Sequence, residues 1–265
     1  MDPSSRLPWP LAAPALIAVV FLLLPLVGLL ARAPWAGLPH LLAEPEIREA
    51  LRLSLLSATA ATGLSLLVGV PLAWVLARST WPGISLLRAL VTLPLVLPPV
   101  VGGVALLLAL GRRGLVGQYL DAWFGLTLPF TTAGVVLAET FVAMPFLVVT
   151  VEGALRSSNR GLEEAAATLG SRPFATFCRV TLPLIGPSLL AGSVLCWARA
   201  LGEFGATITF AGNFPGRTQT MPLAVYLALE RDPDAAIALS LVLLLVSIAA
   251  LALLRERWLG SGARL

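Results

Sequence analysis

The sequence predicts an all-α polytopic membrane protein with six transmembrane helices. Composition is the first reason: 58% of the 265 residues are hydrophobic and only 12% are charged, against about 25% charged in ordinary soluble domains. The second is a mean hydropathy of +0.91. The third is the recurrence of apolar runs near the ~20 residues that a helix needs to cross the hydrocarbon core. These observations exclude a water-soluble globular enzyme. They also exclude a disordered chain, because so much apolar surface cannot stay solvated.

The runs can be justified in order. Leu11 to Leu30 follows a short segment containing Arg6. It is longer than the 7–15 or so residues of a signal-peptide core, so it reads as a retained helix. Leu53 to Leu76 is rich in Ala, Ser, Thr and Gly, the small residues that let helices approach closely in lipid. Leu86 to Leu110 carries Pro94, Pro98, Pro99, Gly102 and Gly103 near its middle. Backbone groups freed by proline at membrane depth survive only inside protein or beside a water-filled cavity, which predicts an irregular helix next to a pathway. The fourth run, Thr132 to Val151, contains Glu139 and Pro145. The fifth, from Pro183 to Phe210, is interrupted by Gly202 and Gly205 and holds Arg199 and Glu203. Ala235 to Leu254 is the sixth.

All 18 basic residues are arginines, and the formal net charge is +4. They are scattered between apolar spans with no aromatic-studded stripe, so nucleic acid is not an expected partner. Their use is orientation. With the N-terminus inside, the inner segments hold ten arginines and the outer segments seven, with Arg199 within a span. Both termini are therefore predicted to be cytoplasmic. Cys178 and Cys196 have no metal-ligand spacing, and His40 is the only histidine. Neither a metal site nor a catalytic residue is expected.

The stretch from Glu152 to Arg179 between spans four and five is too long for a turn. Ser157, Ser158 and Asn159 offer N-caps, and Glu163 and Glu164 follow in the early turns, where negative charge suits the helix dipole. Leu162, Ala165, Ala166 and Leu169 then form one narrow apolar face. Gly170 is placed to end that helix in a left-handed cap and Pro173 to open the next, on which Phe174 and Phe177 share a face. A helix resting on lipid headgroups would carry more arginine. A face of small residues suits docking into a groove on another protein.

This segment resembles a known motif. Glu164-Ala165-Ala166, then Gly170, then Val180, Leu182 and Pro183 reproduce the spacing of the EAA motif of ABC-type importer permeases, with Val180 in place of isoleucine. Arg199 to Ala206 resembles a run in permeases for tetrahedral oxyanions. Gly216 to Tyr226, and Pro94 to Pro99 with Gly102-Gly103, look like the molybdate or tungstate branch. The resemblance implies a type I ABC importer permease fold and an ATPase-coupling role for Glu164, Ala165, Ala166, Gly170, Leu182 and Pro183. It implies a homodimer in the prokaryotic cytoplasmic (inner) membrane, two cytoplasmic ATPase subunits and an extracytoplasmic oxyanion-binding protein. ATP and Mg would be bound by the ATPase, and no cofactor by this chain. The implied organisation is an N-terminal helix and outer loop over 1–50 and a transmembrane domain over 51–254. The coupling segment lies within it at 157–183, and a cytoplasmic tail covers 255–265.

The phosphate-binding pattern GxxxxGK[ST] is absent, since the chain has no lysine. ATP hydrolysis therefore falls to a separate subunit. A stand-alone secondary transporter would be expected to show paired repeats with matching broken helices, and the halves do not match. An intramembrane enzyme would need a nucleophile with its base, and no such set occurs. Pro98, Pro99, Glu139, Arg199 and Glu203 are the candidate pathway or gate residues, because ionisable groups and broken backbone at membrane depth need a reason. Each also has a plainer reading. Glu139 could snorkel to the outer interface, Glu164 could serve only the helix dipole, and Arg199 with Glu203 could be a self-neutralising structural pair. For Arg112 and Arg113, interfacial anchoring is favoured over attraction of an anion.

Overall fold

A computed structural model describes residues 9–261; Arg6 and residues 262–265 of the tail lie outside the described residues. The chain is helical, with no strand among the described residues. In order come α1 (Trp9–Ala31), α2 (Leu38–Ala43), α3 (Pro45–Arg78), α4 (Ile84–Val96), α5 (Pro99–Leu110), α6 (Gly117–Phe124) and α7 (Thr132–Ser157). The second half holds α8 (Arg160–Thr168), α9 (Pro173–Thr176), α10 (Leu182–Leu184), α11 (Gly186–Leu201), α12 (Gly205–Phe210), α13 (Met221–Arg231) and α14 (Pro233–Ser261). A π-type stretch, Phe177–Thr181, joins α9 to α10.

The core is built on small residues. Ser54, Ala58, Ala61, Ser65, Gly69, Ala73 and Ala77 are buried along α3 at three- and four-residue steps, so they form one face. That face packs along α7 on Ala143, Leu147, Val148, Val151 and Leu155, and α11 adds Cys196, Ala200 and Leu201. A Cβ added at Gly69 would lie 3.2 Å from Val148, and one at Gly192 would lie 3.1 Å from Leu147. Close backbone approach of this kind drives helix association where lipid tails offer no hydrophobic contrast. Cys178 is exposed and Cys196 buried, both as free thiols. None of the residues in the spanning part of α1 is buried, and the helix is apolar on every side, as suits one facing lipid.

Four unbroken helices are long and apolar enough to cross a bilayer: Leu11–Ala31, Pro45–Arg78, Thr132–Ser157 and Pro233–Ala250. Two bent pairs raise the number to six if each is one span. The first bent pair falls in the run Leu86–Leu110, expected to be irregular: α4 and α5 meet at 120°. Pro98 and Pro99 supply no amide hydrogens, and Leu97, before a proline, is extended at φ −69° and ψ 129°. The other bend, of 76°, falls at Ile185 between Pro173–Leu184 and Gly186–Leu201. The fifth span therefore starts at Gly186 rather than Pro183, and its helix stops at Leu201 before resuming as α12. Helices α6 and α13 are not expected from the sequence, because each is a single short stretch among loop residues.

Candidate functional site

The segment after α7 folds as two short helices, α8 and α9, beside the C-terminal end of α3. Asn159 caps α8, its side-chain oxygen accepting from the Gly161 amide at 2.9 Å. Gly170 ends it at φ +80°, with its amide donating to Ala167 O at 2.9 Å and the Ser171 amide to Ala166 O at 3.0 Å. Glycine adopts this left-handed cap without strain, and of the other residues asparagine tolerates it best. Pro173 opens α9. No residue of α8 is buried: Leu162 is 47% exposed, Leu169 is 88% exposed, and Glu164 has no ion-pair partner among the described residues. Ala165 is exposed as well, and Ala166 half-buried. Leu182 and Pro183 lie immediately before the Ile185 bend, where Ile185 itself is anchored in the core.

Glu163 behaves differently from its neighbour Glu164. Its Oε1 accepts from Arg78 Nη2 at 2.6 Å and from the Thr181 hydroxyl at 3.1 Å. The same Arg78 nitrogen reaches Ser158 Oγ at 3.1 Å. Nearby, Arg88 Nε donates to the buried Glu152 at 2.8 Å, which Arg156 also approaches at 3.7 Å. The sequence reading treated Glu163 only as a dipole partner. A lone arginine closing a long apolar helix was the available signal for its counter-charge.

At membrane depth, Arg199 Nη2 lies 2.6 Å from Glu203 Oε2. That carboxylate oxygen has no hydrogen-bond partner of good geometry, so charge rather than a directed bond holds the contact. The other oxygen accepts from the Ala206 amide at 2.8 Å and so caps the start of α12. Glu203 is 1% exposed, whereas the Arg199 side chain is 26% exposed. Arg199, Gly202, Glu203, Phe204, Gly205, Pro99 and Val100 line an open cavity of about 320 Å³. Pro99 and Pro98, at the α4–α5 break, are thus brought beside the Arg199–Glu203 pair.

Two glycines make this junction possible. A Cβ on Gly205 would stand 2.9 Å from Pro99 Cβ, and one on Gly103 would stand 2.7 Å from Thr209 Cβ and 2.9 Å from Ala206 O. Glu139 sits elsewhere, buried at 1% exposure between α3 and α7, where Ser57 Oγ donates to it at 2.8 Å. It does not snorkel. Its second oxygen has no hydrogen-bond partner among the described residues. Ser57 and Ser54, whose hydroxyl accepts from the Met221 amide at 2.7 Å, gave no sequence signal beyond their small size. Beyond α5, Arg112 Nε donates to Asp121 at 2.9 Å, and that hydrogen bond raises the guanidinium pKa further. Among the described residues no three His, Cys, Asp or Glu side chains cluster in a metal-holding arrangement.

Comparisons with known proteins agree with this geometry. The chain is 52% identical over 264 residues to the molybdenum transport system permease protein ModB of Mycobacterium tuberculosis, covering 100% of this chain and 97% of that protein. It is 38% identical over 237 residues to the sulfate transport system permease protein CysT of Escherichia coli, covering 88% and 85%. Its fold is similar to that in the crystal structure of a bacterial alginate ABC transporter in complex with an alginate pentasaccharide-bound periplasmic protein. There the TM-score is 0.73 at 21% identity, with 94% of this chain and 93% of that one covered. Residues 69–261 match the family described as binding-protein-dependent transport system inner membrane component. The chain belongs to that family of membrane permeases.

Proposed function

We propose that this chain is the membrane-spanning subunit of an ATP-driven importer for a tetrahedral oxyanion, molybdate above the others. The observation that carries the reading is α8: a capped helix standing off the core with Leu162, Glu164 and Leu169 presented outward. Such a face fits a groove on a cytoplasmic ATPase. With no phosphate-binding loop in the chain, ATP and Mg belong to that subunit, and this chain carries no catalytic site of its own. Two copies would form the membrane unit, each engaging one ATPase. An extracytoplasmic binding protein would deliver the anion, a partner of the kind present in the alginate complex.

The anion is supported by likeness to the molybdenum permease at 52% identity, against 38% for the sulfate permease. A permease for tungstate, a tetrahedral dianion of the same class, is an alternative, and one for sulfate or thiosulfate a further one. The contact of Arg78 with Ser158 and Glu163 places the ends of α3 and α7 on the same side as α8. With α1 crossing once before α3, Trp9 at the start of α1 shares that side, which supports the assignment of the termini to the cytoplasmic face of the inner membrane. In this reading the Arg199–Glu203 pair is structural. It holds the break between α11 and α12 open against Pro98 and Pro99, and the pathway runs beside it. Glu139, hydrogen-bonded to Ser57, stiffens the neighbouring α3–α7 contact.

The test is reconstitution of the chain with its ATPase and binding protein in vesicles, measuring uptake of molybdate, tungstate and sulfate. ATP-dependent molybdate uptake that sulfate competes with only weakly is expected. Uptake without ATP, or sulfate preferred over molybdate, would reject the assignment.

A further inference from the structure

We propose that Arg78 and Glu163 form the joint that makes the ATPase-facing helix move with the transmembrane core. The proposal rests on α8 being the docking helix. On either side α8 is tied to the spans by non-helical chain: Ser158 and Asn159 are extended at ψ 147° and 108°, and Gly170 is left-handed before the extended Arg172. Neither link is continuous helix. Nor is α8 held by burial, since none of its residues is buried. A cavity of about 200 Å³, lined by Trp74, Glu163, Ala167, Ser171, Thr176 and Thr181 among others, lies against it.

What remains is one carboxylate oxygen on which three segments converge. Arg78 closes α3, Glu163 belongs to α8, and Thr181 ends the π-type stretch that leads into α11. Arg160, the first residue of α8, adds a bond to the Ala77 carbonyl at 3.3 Å. Arginines at helix ends normally extend toward water, but the Arg78 side chain is only 10% exposed, and its Nε and Nη1 have no partner. Arg78 therefore depends on Glu163 for its counter-charge. Glu163 and Glu164 are about 100° apart around the helix, so one carboxylate can face inward while the next stays free for docking. A push or pull on α8 then reaches α3, whose small-residue face is packed along α7 and α11. Arg78 and Glu163 are positioning residues, acting through α8 rather than on the anion.

Two measurements test this. In the detergent-solubilised chain without partners, Glu163→Gln and Arg78→Gln should speed amide hydrogen exchange across α8 by about tenfold or more, as loss of a close coupled pair implies, with α3 and α7 unchanged. In vesicles holding the full complex, both variants should keep ATP hydrolysis within about twofold while anion uptake per ATP falls about tenfold. The charge-reversed double variant Arg78→Glu/Glu163→Arg should recover most of that ratio. Glu164→Gln should lower hydrolysis and uptake together, leaving the ratio unchanged. Where a single variant fails to assemble, Thr181→Val, which removes only one donor to Glu163, should lower the ratio about twofold. Unchanged exchange in α8, or an unchanged ratio in the assembled variants, overturns the joint. Absence of oxyanion uptake by the unmodified complex would instead overturn the functional reading and leave the exchange result standing.

Discussion

Gly170 offers a test in which backbone conformation alone decides the outcome. It sits at φ +80°, and a Cβ placed there would meet nothing within 4 Å. Crowding therefore contributes nothing, and the whole effect of Gly170→Ala is the ~1–2 kcal/mol by which an L-residue disfavours the left-handed region. Gly170→Val should cost more, because its branched Cβ is less tolerant still, and Gly170→Asn should stay close to the native protein. If the cap is what presents α8 to its ATPase, association should weaken about tenfold for alanine, since 1.4 kcal/mol is a factor of ten. Gly153 is the control. It too has open space around its Cβ position, but it lies inside α7 with a helical φ. There Gly→Ala should stabilise by ~0.5–1 kcal/mol. The assay is titration of each purified variant with the ATPase, beside hydrogen exchange at the Gly170 and Ser171 amides. Equal losses for Gly170→Asn and Gly170→Val would refute the reasoning, as would a Gly170→Val chain that binds like the original.

Three more outcomes follow from the geometry. The purified chain should show no ATP hydrolysis above background until a cytoplasmic partner is added; robust turnover by the chain alone would contradict the separate-subunit reading. Glu203→Gln should destabilise the membrane unit in detergent by less than the roughly 3–5 kcal/mol of a fully buried broken pair, because the Arg199 side chain is 26% exposed. The molybdate-to-sulfate competition ratio in vesicles should barely move, and a large shift with assembly intact would make the pair an anion site. Gly103→Leu should cost at least the ~1–3 kcal/mol of ordinary overpacking, because even a Cβ would meet the Ala206 carbonyl at 2.9 Å; a thermal midpoint equal to that of the native chain would show that α5 and α12 can separate.

Much of this architecture was legible because membrane helices announce themselves by length. The buried stripe of α3 is visible as Ser, Ala and Gly at three- and four-residue steps, and the Gly170 cap and the Pro173 start follow from the conformations those residues alone favour. What was not legible is where charges find partners. Glu163 and Glu164 are identical residues side by side, and nothing local says that Arg78, distant in sequence, will take the first. The α4–α5 break was foreseen as irregularity, but its 120° angle depends on α12 packing against α5 through Gly103 and Gly205. That is a tertiary fact. Ser57 could not be picked out either, since a serine donating to a buried carboxylate looks in sequence like any other small residue of the stripe.

The two packed regions differ in how they are held. Around α3, α7 and α11, small residues interlock over the length of the helices and Glu139 is hydrogen-bonded inside the contact. Motion there would break packing along whole helices at once. Between α5 and α12 the contact is centred on two glycines, beside a buried cluster of Leu106, Ala138, Val142, Ala206 and Phe210 that ties α12 to α7 as well, and it borders an open cavity with a partly exposed arginine at its edge. The Glu203 carboxylate caps α12 through the Ala206 amide while pairing with Arg199 at the end of α11, so it joins the two halves of the interrupted span across Gly202. Removing that one carboxylate should loosen the join between α11 and α12, while the α3–α7 packing, which does not use it, stays in place.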